Sequence, residues 1–140
     1  MHILLVLGAA ALAAAAPKLG ERTHSPAEVL AQMGEGSTDA EMARLAAAAA
    51  SFPLGSLQNP VRVGGPEGRR AYVSRLRCGD GSSPAVGPVA AGGIGGFGSI
   101  VEGVTLDCGG AAPGKAELLV DIYHEEHRET RAPAGFTLAR

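Results

Sequence analysis

Two stretches in the first third of the chain place apolar residues at helical spacing. In "SPAEVLAQM", Ser25 stands where a helix cap belongs and Glu28 follows three residues later, which is a capping box. "STDAEMARLAAAAAS" repeats this arrangement with Thr38 and Glu41. The pattern therefore predicts a pair of helices over residues 25–52.

After Pro60 the pattern changes to an alternation of apolar and polar residues, interrupted by turns rich in glycine and proline. Such alternation is typical of half-buried strands. The predicted strands are 61–63, 71–78, 100–108, 116–124 and 135–139. The residues predicted to face the core are Tyr72, Ser74, Leu76 and Cys78 in the second strand, Ile100, Val104, Leu106 and Cys108 in the third, and Leu118, Val120 and Ile122 in the fourth, with Asp121 and Tyr123 opposite.

Strands joined by short turns predict an antiparallel sheet with one covered face. The N-terminal helices are the expected cover. We therefore predict the α+β class, with an N-terminal helical pair packed on a small antiparallel β-sheet. Residues 25–140 are expected to form a single domain, in which a helical segment (25–52) precedes a β-rich segment (60–139).

The chain opens with "MHILLVLGAAALAAAA", an apolar run that ends in small residues. The run is about 14 residues long, which is short of the roughly 20 that a transmembrane helix needs. Small residues at its end are typical of the site where a signal peptide is cut. We predict a signal peptide over residues 1–15 and a flexible leader over 16–24, so that the mature chain is periplasmic or secreted. A helix buried in the domain is the alternative.

The balance of charge argues against two classes of partner. Twelve Lys and Arg face fourteen Asp and Glu, for a formal net charge of −2. Nucleic acids and anionic lipids are bound through concentrated basic surfaces, and the arginines between 69 and 77 are better interpreted as the solvated face of a strand. No segment after the predicted signal peptide resembles a membrane span. The partner and the oligomeric state stay open.

The chain has two cysteines, Cys78 and Cys108. An even number of cysteines in an exported protein favours a disulfide. Both also share the parity of the inward residues of their predicted strands. A metal-binding or catalytic pair of thiols is the alternative, but neither cysteine lies in a C-x-x-C motif. We predict one disulfide between them.

The stretch "GGIGGFG" (92–98) contains a formal G-x-G-x-x-G motif. A dinucleotide site needs a strand before this motif and a helix opening within it, whereas a strand is predicted to follow here. We therefore predict no nucleotide cofactor and interpret the stretch as a flexible loop. Phe97 in this loop and Tyr123 after the fourth strand are the candidates for a ligand surface.

The densest polar stretch is "DIYHEEHRE" (121–129). His124 and His127 are three residues apart, which matches neither the H-E-x-x-H nor the H-x-x-E-H zinc motif. Two imidazoles with an oxygen ligand from Asp121, Glu125 or Glu129 would nevertheless suffice for zinc or copper. The favoured interpretation is a solvated strand end whose charges face water, and metal binding and acid–base chemistry are the alternatives. No G-x-S-x-G motif or other nucleophile signature occurs, so a small hydrolase is a third hypothesis only.

The segments "NPVRVGGPEG", "AYVSRLRCGDG", "DIYHEEH" and "APAGFT", together with a second Cys after a strand, resemble a family of small exported bacterial proteins with no assigned function. The resemblance covers residues 54–139. It implies a secreted domain with a paired Cys, and it implies no reaction, ligand or active-site residue.

The leading hypothesis is a non-enzymatic, disulfide-stabilised domain that binds a partner. A zinc or copper protein that uses the His124 and His127 cluster is the alternative.

Overall fold

The computed structural model describes residues 38–140. The predicted signal peptide, leader and first helix lie outside the described residues. The elements within them are α1 (Asp39–Ala49), β1 (Val61–Arg62), α2 (Gly65–Ser74), β2 (Leu76–Arg77), β3 (Ala85–Ile94), β4 (Ile100–Asp107), β5 (Lys115–Asp121) and β6 (Thr137–Leu138). Helices and strands are mixed along this part of the chain, as the α+β class requires.

Four strands form one sheet in the order β1-β5-β4-β3, and β2 pairs with β6 in a second, two-stranded sheet. The pairs β3–β4, β4–β5 and β2–β6 are antiparallel, but β1 runs parallel to β5. The prediction of an antiparallel sheet is wrong at this pair. A parallel pair needs a long crossover rather than a turn, and the whole segment from α2 to β4 supplies it.

Helix α1 begins where the capping pattern predicts. The hydroxyl of Thr38 accepts a hydrogen bond from the backbone N–H of Glu41 at 3.2 Å. Among the residues of α1, however, only Ala49 is buried. This helix therefore does not supply the cover for the sheet that the sequence predicted.

Helix α2 is the element that covers the sheet, and the prediction of a strand over 71–78 is wrong for its first half. Residues 71–74 are the end of α2, and only Leu76 and Arg77 belong to a strand. The helix buries Tyr72 and Val73, and Arg69 forms an ion pair with Glu102 of β4. Its N-cap is Gly64, and its sequence, "GPEGRRAYVS", has few apolar residues. The strand-like alternation at its end therefore dominated the pattern.

The core lies between α2, the β2–β6 pair and one face of the four-stranded sheet. Val104, Leu106, Leu118 and Val120 of the predicted inward set are buried there, together with Leu76. Ile100 lies on the predicted face of β4, with Val104 and Leu106, but it is exposed rather than buried. Cys78 and Cys108 form the predicted disulfide, with their Cα atoms 5.8 Å apart.

Strand β3 is the edge of the sheet, and alternation did not reveal it. Its sequence, "AVGPVAAGGI", contains Pro88 and three glycines, and its register with β4 shifts twice, between Val86 and Val89 and between Ala91 and Gly93. Proline lacks the N–H that a central strand needs, so within sheets it is confined to edge strands and bulges. Pro88 lies on an edge strand and within its first register shift. None of the helices described in residues 38–140 is sufficiently long and apolar to span a membrane.

Candidate functional site

Asp121, at the end of β5, has no exposed surface. Its Oδ2 accepts a hydrogen bond from the Ser99 hydroxyl, and its Oδ1 accepts one from the backbone N–H of Tyr123 at 3.1 Å. The His124 Nε2 lies 3.1 Å from Oδ2. Burial acts to raise the pKa of Asp121, but these polar partners favour the carboxylate and keep the pKa below its ordinary value. The solvated strand end expected from the sequence is therefore wrong at this residue.

Ser99 and His124 both approach the carboxylate of Asp121, and this arrangement differs from that of a serine hydrolase. In a catalytic triad the serine hydroxyl donates to the imidazole, which the carboxylate orients from its other side. Here the Ser99 hydroxyl donates to the carboxylate itself. The hydroxyl is thus held as a donor to the carboxylate and does not make the serine-to-imidazole hydrogen bond of a triad.

His124 stands at one end of a stack of side chains. Its ring meets the ring of Phe97 edge to face, with centroids 5.3 Å apart and an interplanar angle of 74°. The Arg62 guanidinium carbon lies 4.8 Å from the centroid of Phe97, a cation–π contact. Phe97 is buried in this stack, and its assignment to a ligand surface stays a prediction.

A second buried carboxylate, Glu129, lies in the segment after His124. Its Oε1 accepts hydrogen bonds from the backbone N–H groups of Thr130 and Arg131 and from Arg131 Nε, and Arg131 Nη2 donates to Oε2 at 3.1 Å. Burial acts to raise the pKa of Glu129, but Arg131 outweighs it and the pKa is lowered. His127 Nε2 lies 3.6 Å from Oε2. Burial and the nearby Arg62 lower the pKa of His127.

The two histidines are thus associated with different carboxylates. Within residues 38–140, no three His, Cys, Asp or Glu side chains are placed to hold one metal ion. His124 lies against Asp121 and His127 against Glu129, while Glu125 lies by the backbone of Gly64 and lines the same cleft as His127 and Glu129. The positive charge of Arg62 near His127 also opposes a bound cation. The zinc or copper site stays a hypothesis without geometric support here.

The glycine-rich loop between β3 and β4 is packed on the chain, contrary to the prediction of a flexible loop. The N–H of Gly96 donates to the carbonyl of Leu57 at 2.9 Å, and that of Gly95 donates to the carbonyl of Ser99 at 2.8 Å. A Cβ on Gly96 would lie 2.1 Å from the carbonyl oxygen of Gln58. Only glycine fits at this position, so Gly96 permits close packing of the loop against the backbone of Gln58.

A cleft of about 660 Å³ lies between α2 and the segment 125–130. Both signs of charge line it, from Arg75, Arg128 and Arg140 and from Glu125, Glu126 and Glu129. Arg75 is already engaged, since its Nε donates to the carbonyl of Ala139 at 3.2 Å. The mixed lining favours no single class of ligand.

A second surface is apolar and was not predicted as a unit. It consists of Val86, Val89, Ile94, Ile100 and Tyr123, here called the apolar shelf. Ile94, Ile100 and Tyr123 are 62%, 56% and 64% exposed. Tyr123, a predicted ligand-surface residue, thus lies where solvent reaches it.

The register of β3 and β4 explains why the shelf is apolar. Cross-strand partners project to the same face of a sheet. Val86 is paired with Leu106 and Val89 with Val104, both of which are core residues, and Ile94 is paired with Ile100. The four shelf residues of β3 and β4 therefore continue the core face beyond the cover of α2, and Tyr123 lines the same groove as Val89 and Ile100. The only signal in the sequence was the uncharged run "AVGPVAAGGI", whose glycines and proline concealed the strand.

A groove of about 280 Å³ runs along the shelf. Val89, Ile100, Ile122 and Tyr123 line it, and Glu102 lies at its border. Glu102 of this lining forms the ion pair with Arg69 of α2. An apolar groove next to a free strand edge is typical of surfaces that accept an extended peptide segment.

Comparison with known proteins gives no match: no protein-family model, no curated protein and no solved structure matches this chain. The resemblance to a family of small exported proteins therefore stays a prediction.

Proposed function

We propose that this protein is a disulfide-stabilised, non-enzymatic binding domain whose partner is a protein segment that adds to the β3 edge and covers the apolar shelf. The observation that carries the proposal is the exposure of five large side chains in one region of the sheet. Monomeric proteins rarely expose contiguous apolar surface of this kind unless it serves an interaction.

The free edge of β3 supports the same proposal. Edge strands usually carry charges that discourage pairing with other chains. The ten residues of β3 include no Asp, Glu, Lys or Arg, and each of them is exposed or half-buried. Backbone groups on the open side of this strand can thus pair with an incoming strand, while its apolar side chains meet the shelf.

The buried polar groups are better explained as structural than as catalytic. Asp121 and Glu129 each accept several donors, which is how a buried carboxylate is stabilised. The contacts of Asp121 join the end of β5 to Ser99 of the loop 95–99. They position the end of β5, from which Tyr123 extends to the shelf.

The binding proposal is tested with a displayed library of random peptides. We expect the full chain to select peptides that alternate apolar and polar residues. A selected peptide should bind Ile100→Glu at least roughly tenfold more weakly in fluorescence anisotropy, because a carboxylate on the shelf must be desolvated on binding.

Phe52→Glu is the matched control, since Phe52 is also an exposed large apolar residue but lies outside the shelf. Its affinity for the selected peptide should equal that of the unchanged protein. If no peptide is selected, or if both substitutions weaken binding equally, the shelf is not the binding surface.

We also propose that the protein is exported, with residues 1–15 as its signal peptide. The disulfide supports this proposal, because disulfides form and persist in oxidising compartments. Intact mass spectrometry of the protein from a secreting host should give a chain that begins at Ala16. Export would be contradicted if the protein were found in the cytosol with free thiols and a mass that includes Met1.

A further inference from the structure

We propose that the partner of the apolar shelf is a second copy of this chain, and that the two β3 strands pair antiparallel about a two-fold axis at Ala90. This inference rests on the proposed binding function and names its partner. It joins the two four-stranded sheets into one continuous sheet through their β3 edges.

Charge permits this pairing. Like charges directly opposite one another destabilise a strand pair, and a two-fold axis places each strand opposite itself. Because β3 is uncharged from Ala85 to Ile94, no like-charge contact arises along the shared edge. The formal charge of the chain, −2, is also small enough that repulsion between copies is weak.

The irregularities of β3 are placed symmetrically around Ala90. In an antiparallel pair centred there, Pro88 lies opposite Gly92 of the second copy. Each of these residues falls within one of the two register shifts of β3. Pro88 of one copy, which lacks an N–H, therefore lies opposite the bulge at Gly92 of the other copy. The irregular part of one strand meets the irregular part of its partner.

The side chains of the same register are complementary. Val86 lies opposite Ile94 of the second copy, and Val89 lies opposite Ala91 of the second copy. The pairing of β3 with β4 places Val86, Val89, Ala91 and Ile94 on the same face of the sheet, the face that carries the shelf. Dimerisation would thus align the two shelves and bury Val86 and Ile94, which are exposed in the single chain.

Cysteine cross-linking of the full chain tests this register. Ala90 is exposed, and at the two-fold axis its Cβ would lie about 5 Å from its own counterpart. We expect Ala90→Cys to form a covalent dimer on mild oxidation. Val86→Cys should form few dimers with itself but should cross-link to Ile94→Cys when the two variants are mixed. Asp80→Cys, in an exposed turn, is the control for random collision.

Light scattering measures the same association without a new cysteine. The unchanged protein should have twice the mass of one chain, and Ile94→Glu should have the mass of one chain while it keeps its far-UV circular dichroism. A monomeric mass for the unchanged protein, or cross-linking of Ala90→Cys no faster than that of Asp80→Cys, would overturn the inference. If a selected peptide still binds in an Ile100-dependent manner, only the identity of the partner is wrong and the binding function stands.

Discussion

Asp121→Ala is expected to lower the free energy of unfolding by about 3–5 kcal/mol, because it leaves the partners of a buried carboxylate without their acceptor. Asp121 is fully buried, and the Ser99 hydroxyl and the backbone N–H of Tyr123 both donate to it. His124 Nε2 lies 3.1 Å away. Alanine removes all of these contacts, and the half-buried Ser99 and His124 regain only part of them from water. Urea unfolding followed by circular dichroism, with the disulfide intact, measures the loss.

Glu117→Ala is the matched control, since Glu117 lies on the same strand but is exposed. Its effect should stay within about 0.5 kcal/mol. An effect of Asp121→Ala as small as that of the control would show that the buried network does not stabilise the fold.

The contribution of Asp121 should also depend on pH. Its pKa in the folded protein lies below the ordinary value of 3.8, so the carboxylate stabilises the fold fully above that value. The stabilisation is lost as the pH falls through the lowered pKa. The difference in stability between the unchanged protein and Asp121→Asn should therefore shrink on acidification. A difference that grows in acid would contradict the direction of this pKa shift.

The buried network also marks where sequence patterns stopped being informative. Alternation located β4 and β5 and most of their inward residues, because one face of each strand packs on the core in the usual way. The same alternation placed Asp121 on a polar face. That face is covered by the loop 95–99, whose position depends on contacts between distant segments, such as Gly96 with Leu57. No local pattern contains that information.

The two elements that define the shelf were hidden for different reasons. The segment "AYVSRLRC" alternates like a strand, yet residues 71–74 belong to α2, because Arg69, Tyr72 and Val73 reach the sheet only at helical spacing. Strand β3 is rich in residues that disfavour strands, and it forms because β4 supplies a partner for it. The sequence identified His124 and His127 as candidates from their spacing. That each lies against a different carboxylate could be seen only in three dimensions.

The disulfide was the tertiary contact that the sequence predicted directly, and its location indicates what it stabilises. Cys78 follows β2 and Cys108 follows β4, so the bond joins the two-stranded sheet to the four-stranded one. The β2 and β6 strands are two residues each, which is too short for their pairing to be stable without other contacts. Leu76 of β2 nevertheless belongs to the core. The bond therefore helps to hold this part of the core in place.

The double substitution Cys78→Ala/Cys108→Ala is expected to lower the free energy of unfolding by about 3–4 kcal/mol, the value for opening a loop of 30 residues in the unfolded chain. Urea unfolding of the oxidised protein, the reduced protein and the double variant measures this loss. Reductant should destabilise the unchanged protein by a similar amount and leave the double variant unaffected. Since the total stability of a small domain is about 5–15 kcal/mol, this loss should shift the urea midpoint strongly. A shift equivalent to less than about 1 kcal/mol would mean that the short strands and Leu76 hold the two sheets together without the bond.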